Sequence, residues 1–283
     1  MSGPASLGRA RRRAGGRVSS FLPVNNTNDL SVVTLNVHGG QRNRGISTPR
    51  LRRPSPPPPS ASSNGSFDVA GALRELDADV LVVQEGWWPD DGPGAVDVVA
   101  AERGATIHWA SFGRGIVDPW PHIISARPHR TSGRIGLAVV SRVPARLVEI
   151  IPVGDAPGDP ALRRCALHVA LDVGGEELDL VAVHLSSRLP YAPPMQLRNL
   201  RRRLPAPGRR TVIVGDFNLW GPAVVAMLPG WRRAVRGRTW PAHRPHSQID
   251  HVLVRDDVEV VNAAVLDEVG SDHLPLRVTL RPR

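Results

Sequence analysis

The chain has 283 residues, 41% apolar and 22% charged, which is ordinary for a soluble globular protein and enough for one large domain with an enzyme-sized core. A single cysteine, Cys165, excludes an intrachain disulfide and a cysteine-only metal cluster. No apolar run approaches the roughly 20 residues that span a bilayer, and FLPV near the start is too short for the apolar core of a secretory signal. A cytoplasmic protein is therefore the default expectation.

The net charge of +10 comes from 36 Arg and no Lys. Residues 1–28 hold five Arg, many Gly and Ser and no acid, and read as a disordered tail. LSVVTLNV (30–37) is the first expected strand. Residues 41–67 hold five more Arg, the run SPPPPS and no acid, and read as a flexible insertion that cannot form a ladder. The remaining residues balance at 26 Arg against 26 Asp and Glu, so the excess charge belongs to these two segments. They are either arms for an anionic surface or a solvated tail and loop.

VAGALREL (69–76) has helical spacing, and DVLVVQE (79–85) reads as a buried strand that ends in a carboxylate. Residues 98–103 read as a short helix and GLAVVSR (136–142) as a strand. CALHVALDV and LDLVAVHL are two strands joined by Gly174 and Gly175, a hairpin signal. MQLRNLRRRL (195–204) is an amphipathic helix. TVIVGDF and HVLVR are strands, and VEVVNAAVL precedes the final SDHLPLRVTL. Many strands, few helices and no repeat predict an α/β sandwich, two packed sheets with helices outside.

Polar residues recur where these strands begin or end. They are Asn36, Glu85, His184, Asp216 with Asn218, Asp250, and the pair Asp272 and His273. One strand-end Asp is usually a turn residue or a helix cap, and one His in an apolar strand is usually a core residue. Six such places on strands that sheet packing aligns point instead to a site. Hard oxygen donors at Asn36, Glu85 and Asp272 suit Mg²⁺ or Mn²⁺ rather than zinc. Acids with two histidines suit phosphoryl transfer. There is no P-loop and no GxSxG elbow.

In this order, TLNVHGG, VVQEG, VHLSS, GDFN, IDHVLV and SDHLPL resemble the motifs of the endonuclease/exonuclease/phosphatase superfamily, over about residues 30 to 280. The resemblance implies a four-layered α/β sandwich of two mainly antiparallel sheets flanked by helices, with residues 29–283 as the catalytic domain. It implies hydrolysis of a phosphate ester with Mg²⁺ or Mn²⁺, the substrate being nucleic acid, a phospholipid head group or a small phosphoester; a monomer is the expectation. Glu85 would bind the metal, Asn36 the metal or phosphate, and Asp272 would bind the metal or back its ligands. Asp216 would orient or deprotonate the water, and Asn218 would hold a phosphate oxygen. Asp250 would charge His273, a base or a phosphate ligand. His184 would stabilise the transition state or protonate the leaving oxygen.

Some residues depart from the pattern. His38 stands where the abasic-site repair branch has an aspartate, and His251 where it has a tyrosine. Each either supports the site from behind or packs between strands. Trp87 and Trp88 either face a base or a lipid interface, or pack internally. Trp240 is a candidate wall of the cleft. Arg163 and Arg164 either reach a phosphate or line a solvated strand edge.

Overall fold

The computed structural model describes residues 28–40, 67–116, 132–159, 161 and 163–283. The Arg-rich tail and the Pro-rich insertion lie outside them, apart from Asn28 and Phe67. Along the chain run β1 (Leu30–Asn36), α1 (Val69–Glu75), β2 (Val80–Pro89), α2 (Ala95–Glu102), β3 (Thr106–Ile116), β4 (Ser132–Ser141), β5 (Ala145–Pro152), β6 (Cys165–Val173), β7 (Glu176–His184), α3 (Ala192–Arg201), β8 (Thr211–Asp216), α4 (Gly221–Met227), β9 (Arg232–Arg233), β10 (Asp250–Val254), β11 (Val258–Val265) and β12 (Leu276–Pro282).

The strands form two six-stranded sheets, ordered β11-β12-β1-β2-β4-β3 and β5-β6-β7-β8-β10-β9. The pairs β1–β2 and β7–β8 are parallel, and the other pairs are antiparallel. Side-chain alternation decides the layering. Leu30, Val32, Val80, Val82, Leu180, Ala182, Val212, Val214, Val252 and Val254 fill the layer between the sheets. Their neighbours Val33, Leu35, Leu81 and Val83 pack under α1 and α2. Val181, Val183, Ile213 and Leu253 pack under α3 and α4. Both faces of the central strands are buried, which is why they read as unbroken apolar runs. The order helix, sheet, sheet, helix is the expected four-layered sandwich. No helix among the described residues is long and apolar enough to cross a membrane.

Local chemistry fixes the helices. Asp68 caps α1 by accepting a bond from Gly71 N at 2.9 Å. Asp97 accepts from Gly94 N at the start of α2 and from Trp88 Nε1 on β2. Pro193 and Pro194 open α3, where their missing N–H groups cost nothing. Gln196 on α3 accepts from Ser186 N at 2.7 Å, pinning the loop that follows β7.

The sequence pattern did not signal β3, β5 or α4. β3 and β5 are each broken by a bulge, after Ser111 and after Leu147. β5 is also an edge strand with much of its length exposed. These interruptions erase the two-residue period from which a strand is recognised. The strand expected at 79–85 runs on to Pro89, so Glu85 sits inside it, at a bulge between Gln84 and Gly86.

Gly215 is what allows β7 and β8 to lie together at this level. Its φ is +139°, and a Cβ there would stand 2.1 Å from the Val183 carbonyl oxygen. Gly175, in the β6–β7 hairpin, has φ +89°, but a Cβ there would meet nothing within 4 Å. Gly215→Ala is expected to cost at least about 3 kcal/mol of stability, because backbone must move. Gly175→Ala is expected to cost only about 1 kcal/mol of backbone strain. Denaturant unfolding of the two variants checks the difference, and equal costs would contradict it.

Candidate active site

The polar residues are the last rung of the inter-sheet layer. Leu180 and Ala182 face the opposite sheet, so His184 does too; Val212 and Val214 are followed in the same way by Asp216. Asp250 precedes Val252 and Val254, and Asn36 follows Val32 and Thr34 from the facing sheet. Strand register sets these residues abreast. His184 pairs with Asp216 across β7–β8, and Asp250 pairs with Asp216 across β8–β10. Asn36 pairs with Gln84 across β1–β2.

Glu85 breaks the alternation. By parity it would follow Leu81 and Val83 toward the helices. The bulge and a φ of +56° turn it toward the sheet edge, and beyond it Trp88 rather than an odd-numbered residue joins the helix layer.

Asp216 is the hub. It is 1% exposed and receives Asn36 Nδ2 at 3.0 Å, Asn218 N at 2.8 Å and Asn218 Nδ2 at 3.2 Å. His184 Nε2 lies 3.6 Å from it and His273 Nε2 4.0 Å. Burial, then the charge of Asp250, push its carboxyl up to about 7 against the opposing pull of His273 and the Asn218 and Asn36 donors. Asn36 also donates to Glu85 Oε1 at 3.3 Å, so one amide joins the two carboxylates.

Both oxygens of Asp250 face His273 Nδ1, at 3.0 and 3.1 Å. Burial opposes a charge on this ring, but Asp250, Asp216 and Asp272 together outweigh it and raise it to about 10. His273 is thus an imidazolium at neutral pH, with Nδ1–H donated to Asp250. Asp272 accepts Trp240 Nε1 on Oδ2 at 3.2 Å, which makes Trp240 part of the site wall. Its Oδ1 is buried and has no hydrogen-bond partner among the described residues.

His184 is the opposite case. Burial first, then the charges of Arg164 and His273, hold it well below the ordinary histidine range. Its Nε2 faces Glu85 Oε1 at 3.7 Å as well as Asp216, and these carboxylates favour the tautomer protonated on Nε2. Arg164 is buried, ion-paired with Asp159 at 2.9 Å and bonded to the His184 carbonyl at 3.3 Å. Its guanidinium lies 5.3 Å from the Phe112 ring centre, and Phe112 meets His184 edge-on at 5.6 Å. Neither of the roles open to Arg164 in the sequence describes this wall behind His184. A buried Arg beside a strand carries no pattern that separates it from an exposed one.

Asn218 does not continue the extended chain of β8. Its φ is +49°, and its amide also donates to Leu185 O at 2.9 Å. It clasps Asp216 while Phe217 enters the core. His251 is fully buried, with Nε2 on Leu219 O at 2.9 Å and its ring edge-on to Phe217. It ties β10 to the loop that carries Asn218. Trp88 is a core residue stacked on Trp109 at 4.7 Å, and Trp87 lies over Gly133. Arg163 is exposed, with its backbone N on Asp155.

One grouping among the described residues has its donor atoms close enough together to hold a cation. Asp216, Asp250 and His273 each bring one donor atom within 4.8 Å of the others. That closeness follows from the Asp250–His273 hydrogen bonds, which already occupy both oxygens of Asp250. Glu85 and Asp272 are better supplied with free oxygens. Glu85 receives one long hydrogen bond from the described residues, and Asp272 Oδ1 receives none.

The sequence matches the family model described as the endonuclease/exonuclease/phosphatase family over residues 33–273. No curated protein matches it. Among solved structures, an endonuclease/exonuclease/phosphatase from Beutenbergia cavernae DSM 12333 is similar with a TM-score of 0.63 at 25% identity, over 90% of this chain and 72% of the other. A mannosyl-6-phosphatase from Bacteroides thetaiotaomicron VPI-5482 has a TM-score of 0.60 at 15% identity, over 89% and 99%. D. rerio TDP2 complexed with single strand DNA product has a TM-score of 0.57 at 16% identity, over 89% and 99%. At these lower identities the likeness is one of fold.

The buried histidines generate a pH prediction. Burial holds His251 at about 4 against an ordinary 6.5, so the folded state keeps it neutral. The stability this contributes is complete above 6.5 and is withdrawn as pH falls toward 4. The size is on the order of 3 kcal/mol, at about 1.4 kcal/mol per pKa unit. Asp216, raised by burial, runs the other way, so the informative quantity is a difference between proteins. Unfolding free energies measured from pH 7 to pH 4 are expected to fall more steeply, by that amount, in the wild type than in His251→Gln. Parallel curves would contradict it.

Proposed function

The chain belongs to the endonuclease/exonuclease/phosphatase family, and on that premise we propose that it hydrolyses phosphate esters with the help of a divalent cation. The observation that carries the reading is Asp216, a carboxylate raised to about 7 and set between a charged and a neutral imidazole. Groups pushed apart in this way can hold and move protons at one pH.

Asp216 takes the proton of the attacking water, since a base titrating near neutrality is both free and strong enough to do so. His273 donates Nε2–H to a phosphate oxygen and stabilises the charge that builds up there. Asp250 keeps Nδ1–H occupied, which aims the other nitrogen outward. His184, neutral and protonated on Nε2, is a hydrogen-bond donor from the opposite side. Asn36 and the left-handed Asn218 hold the Asp216 carboxylate in place. An Asn218 bond to phosphate would compete with its bonds to Leu185 and Asp216.

Glu85 and Asp272, with Asn36 beside them, would hold the cation. The free, buried Oδ1 of Asp272 and the hard oxygen character of this set fit Mg²⁺ or Mn²⁺. When bound, such an ion neutralises phosphate oxygens and lowers the pKa of coordinated water. Nucleic acid, phospholipid head groups and small phosphoesters all present the group that this set addresses.

With Mg²⁺, the protein is expected to hydrolyse a nitrophenyl phosphodiester or one of plasmid DNA, RNA, sphingomyelin and phosphoinositides. EDTA should abolish the activity. Asp216→Asn and His273→Asn should each lower kcat by at least about 100-fold, the usual scale for a positioned proton acceptor or charge stabiliser. Turnover that survives both substitutions, or survives EDTA, would overturn the reading.

A further inference from the structure

We propose that His38 is itself a ligand of the divalent cation, beside Asp272, so that the site is a mixed nitrogen–oxygen site that takes Mn²⁺ in preference to Mg²⁺. The proposal rests on the metal-dependent reading above. His38 belongs to a short turn that follows β1, where its φ is +48°. A positive φ is uncommon for a residue other than glycine, although histidine is among those that adopt it more readily. Its backbone N–H is held by Asn36 Oδ1 at 2.9 Å, so the residue is anchored to the same amide that touches Glu85 and Asp216.

The imidazole Nδ1 stands 3.4 Å from Asp272 Oδ1. That oxygen is buried and accepts no hydrogen bond from the described residues. Two other His–Asp pairs in the same protein close to hydrogen-bond distance, His273–Asp250 at 3.0 Å and His168–Asp179 at 2.7 Å. The His38 pair stays open. Two donors each about 2.1 to 2.2 Å from one cation lie roughly 3.0 to 3.4 Å apart, which is the spacing of neighbouring ligands. Trp240 fixes the other oxygen of Asp272, so Oδ1 is left aimed at His38.

The donor type then sets the preference. Mg²⁺ favours oxygen and gives up water reluctantly, whereas an imidazole nitrogen suits ions later in the divalent series. His38 is about one-third exposed and Asp272 about one-fifth, so the pair is reachable from solvent.

The test uses the full-length protein and the metal ions alone. Calorimetry should give Mn²⁺ at least about a tenfold tighter affinity than Mg²⁺ in the wild type. Pulsed electron paramagnetic resonance on the Mn²⁺-loaded protein should show a directly coordinated nitrogen. His38→Gly relaxes the left-handed backbone while removing the ligand. It should lose that signal and weaken Mn²⁺ binding by about tenfold or more. His38→Asp, an all-oxygen version, should shift the preference back toward Mg²⁺. Melting temperatures confirm that both variants fold. Mn²⁺ bound by the wild type without a nitrogen signal, or a nitrogen signal and affinity unchanged in His38→Gly, would overturn the role of His38 and leave the metal reading standing. A wild type that binds neither ion would overturn both.

Discussion

A carboxylate at the joint between two sheets is the constraint on which the site depends. Asp216 ends the inter-sheet face of β8, where a desolvated acid is costly unless donors surround it. Those donors come from both halves of the molecule: Asn36 from one sheet, and Asn218 from the loop that leaves the other. The same bonds that make the buried acid tolerable also lock the two sheets in relative position at this edge. Gly215 completes the arrangement, because any side chain there would strike the Val183 carbonyl and push β8 away from β7. Register does the rest by putting His184 and Asp250 on either side of Asp216.

Three of the buried histidines then divide between two charge states for reasons visible in their neighbours. His273 faces Asp250, Asp216 and Asp272, and their combined field overcomes desolvation. His184 also lies near two carboxylates, but complete burial and the Arg164 guanidinium behind it win, and it stays neutral. His251 has a backbone carbonyl as its hydrogen-bond partner, and burial decides its state. Which effect dominates depends on whether enough negative charge faces a ring to overcome its burial. One charged and one neutral imidazole on opposite sides of a carboxylate near neutrality is an arrangement suited to proton transfer.

Much of this was legible in the sequence because the relevant strands are central and buried on both faces. Their apolar runs are unbroken, so a polar residue at the end of one stands out, as Asn36, His184, Asp216 and Asp250 do. The layered sandwich follows from the same runs. What the sequence hid lies where periodicity fails. The bulges in β3 and β5 erased those strands, and the bulge at Glu85 made a mid-strand residue look terminal. Asn218 was expected to hold a phosphate oxygen, and it meets Asp216 through a left-handed turn that the motif GDFN does not signal. Arg164 and Asp159 are near neighbours in sequence, but their place behind His184 had no local signature, since it depends on the approach of their loop to the end of β7.

Backbone strain is concentrated where these exceptions occur. Among the described residues, four other than glycine have a positive φ: His38, Glu85, Asn218 and Arg163. Three carry side chains of the site, and the fourth precedes Arg164. Such conformations cost on the order of 1 to 3 kcal/mol each and persist only where the surroundings dictate them. Here each does something that regular structure cannot. A straight β2 would send Glu85 under the helices with Leu81 and Val83. An extended Asn218 could not bring both its backbone N–H and its amide to Asp216. A relaxed turn after β1 would release His38 from the Asn36 side chain and from the open oxygen of Asp272. Three buried apolar layers supply the stability that allows these departures, and the departures turn the end of an apolar core into a cluster of acids and imidazoles.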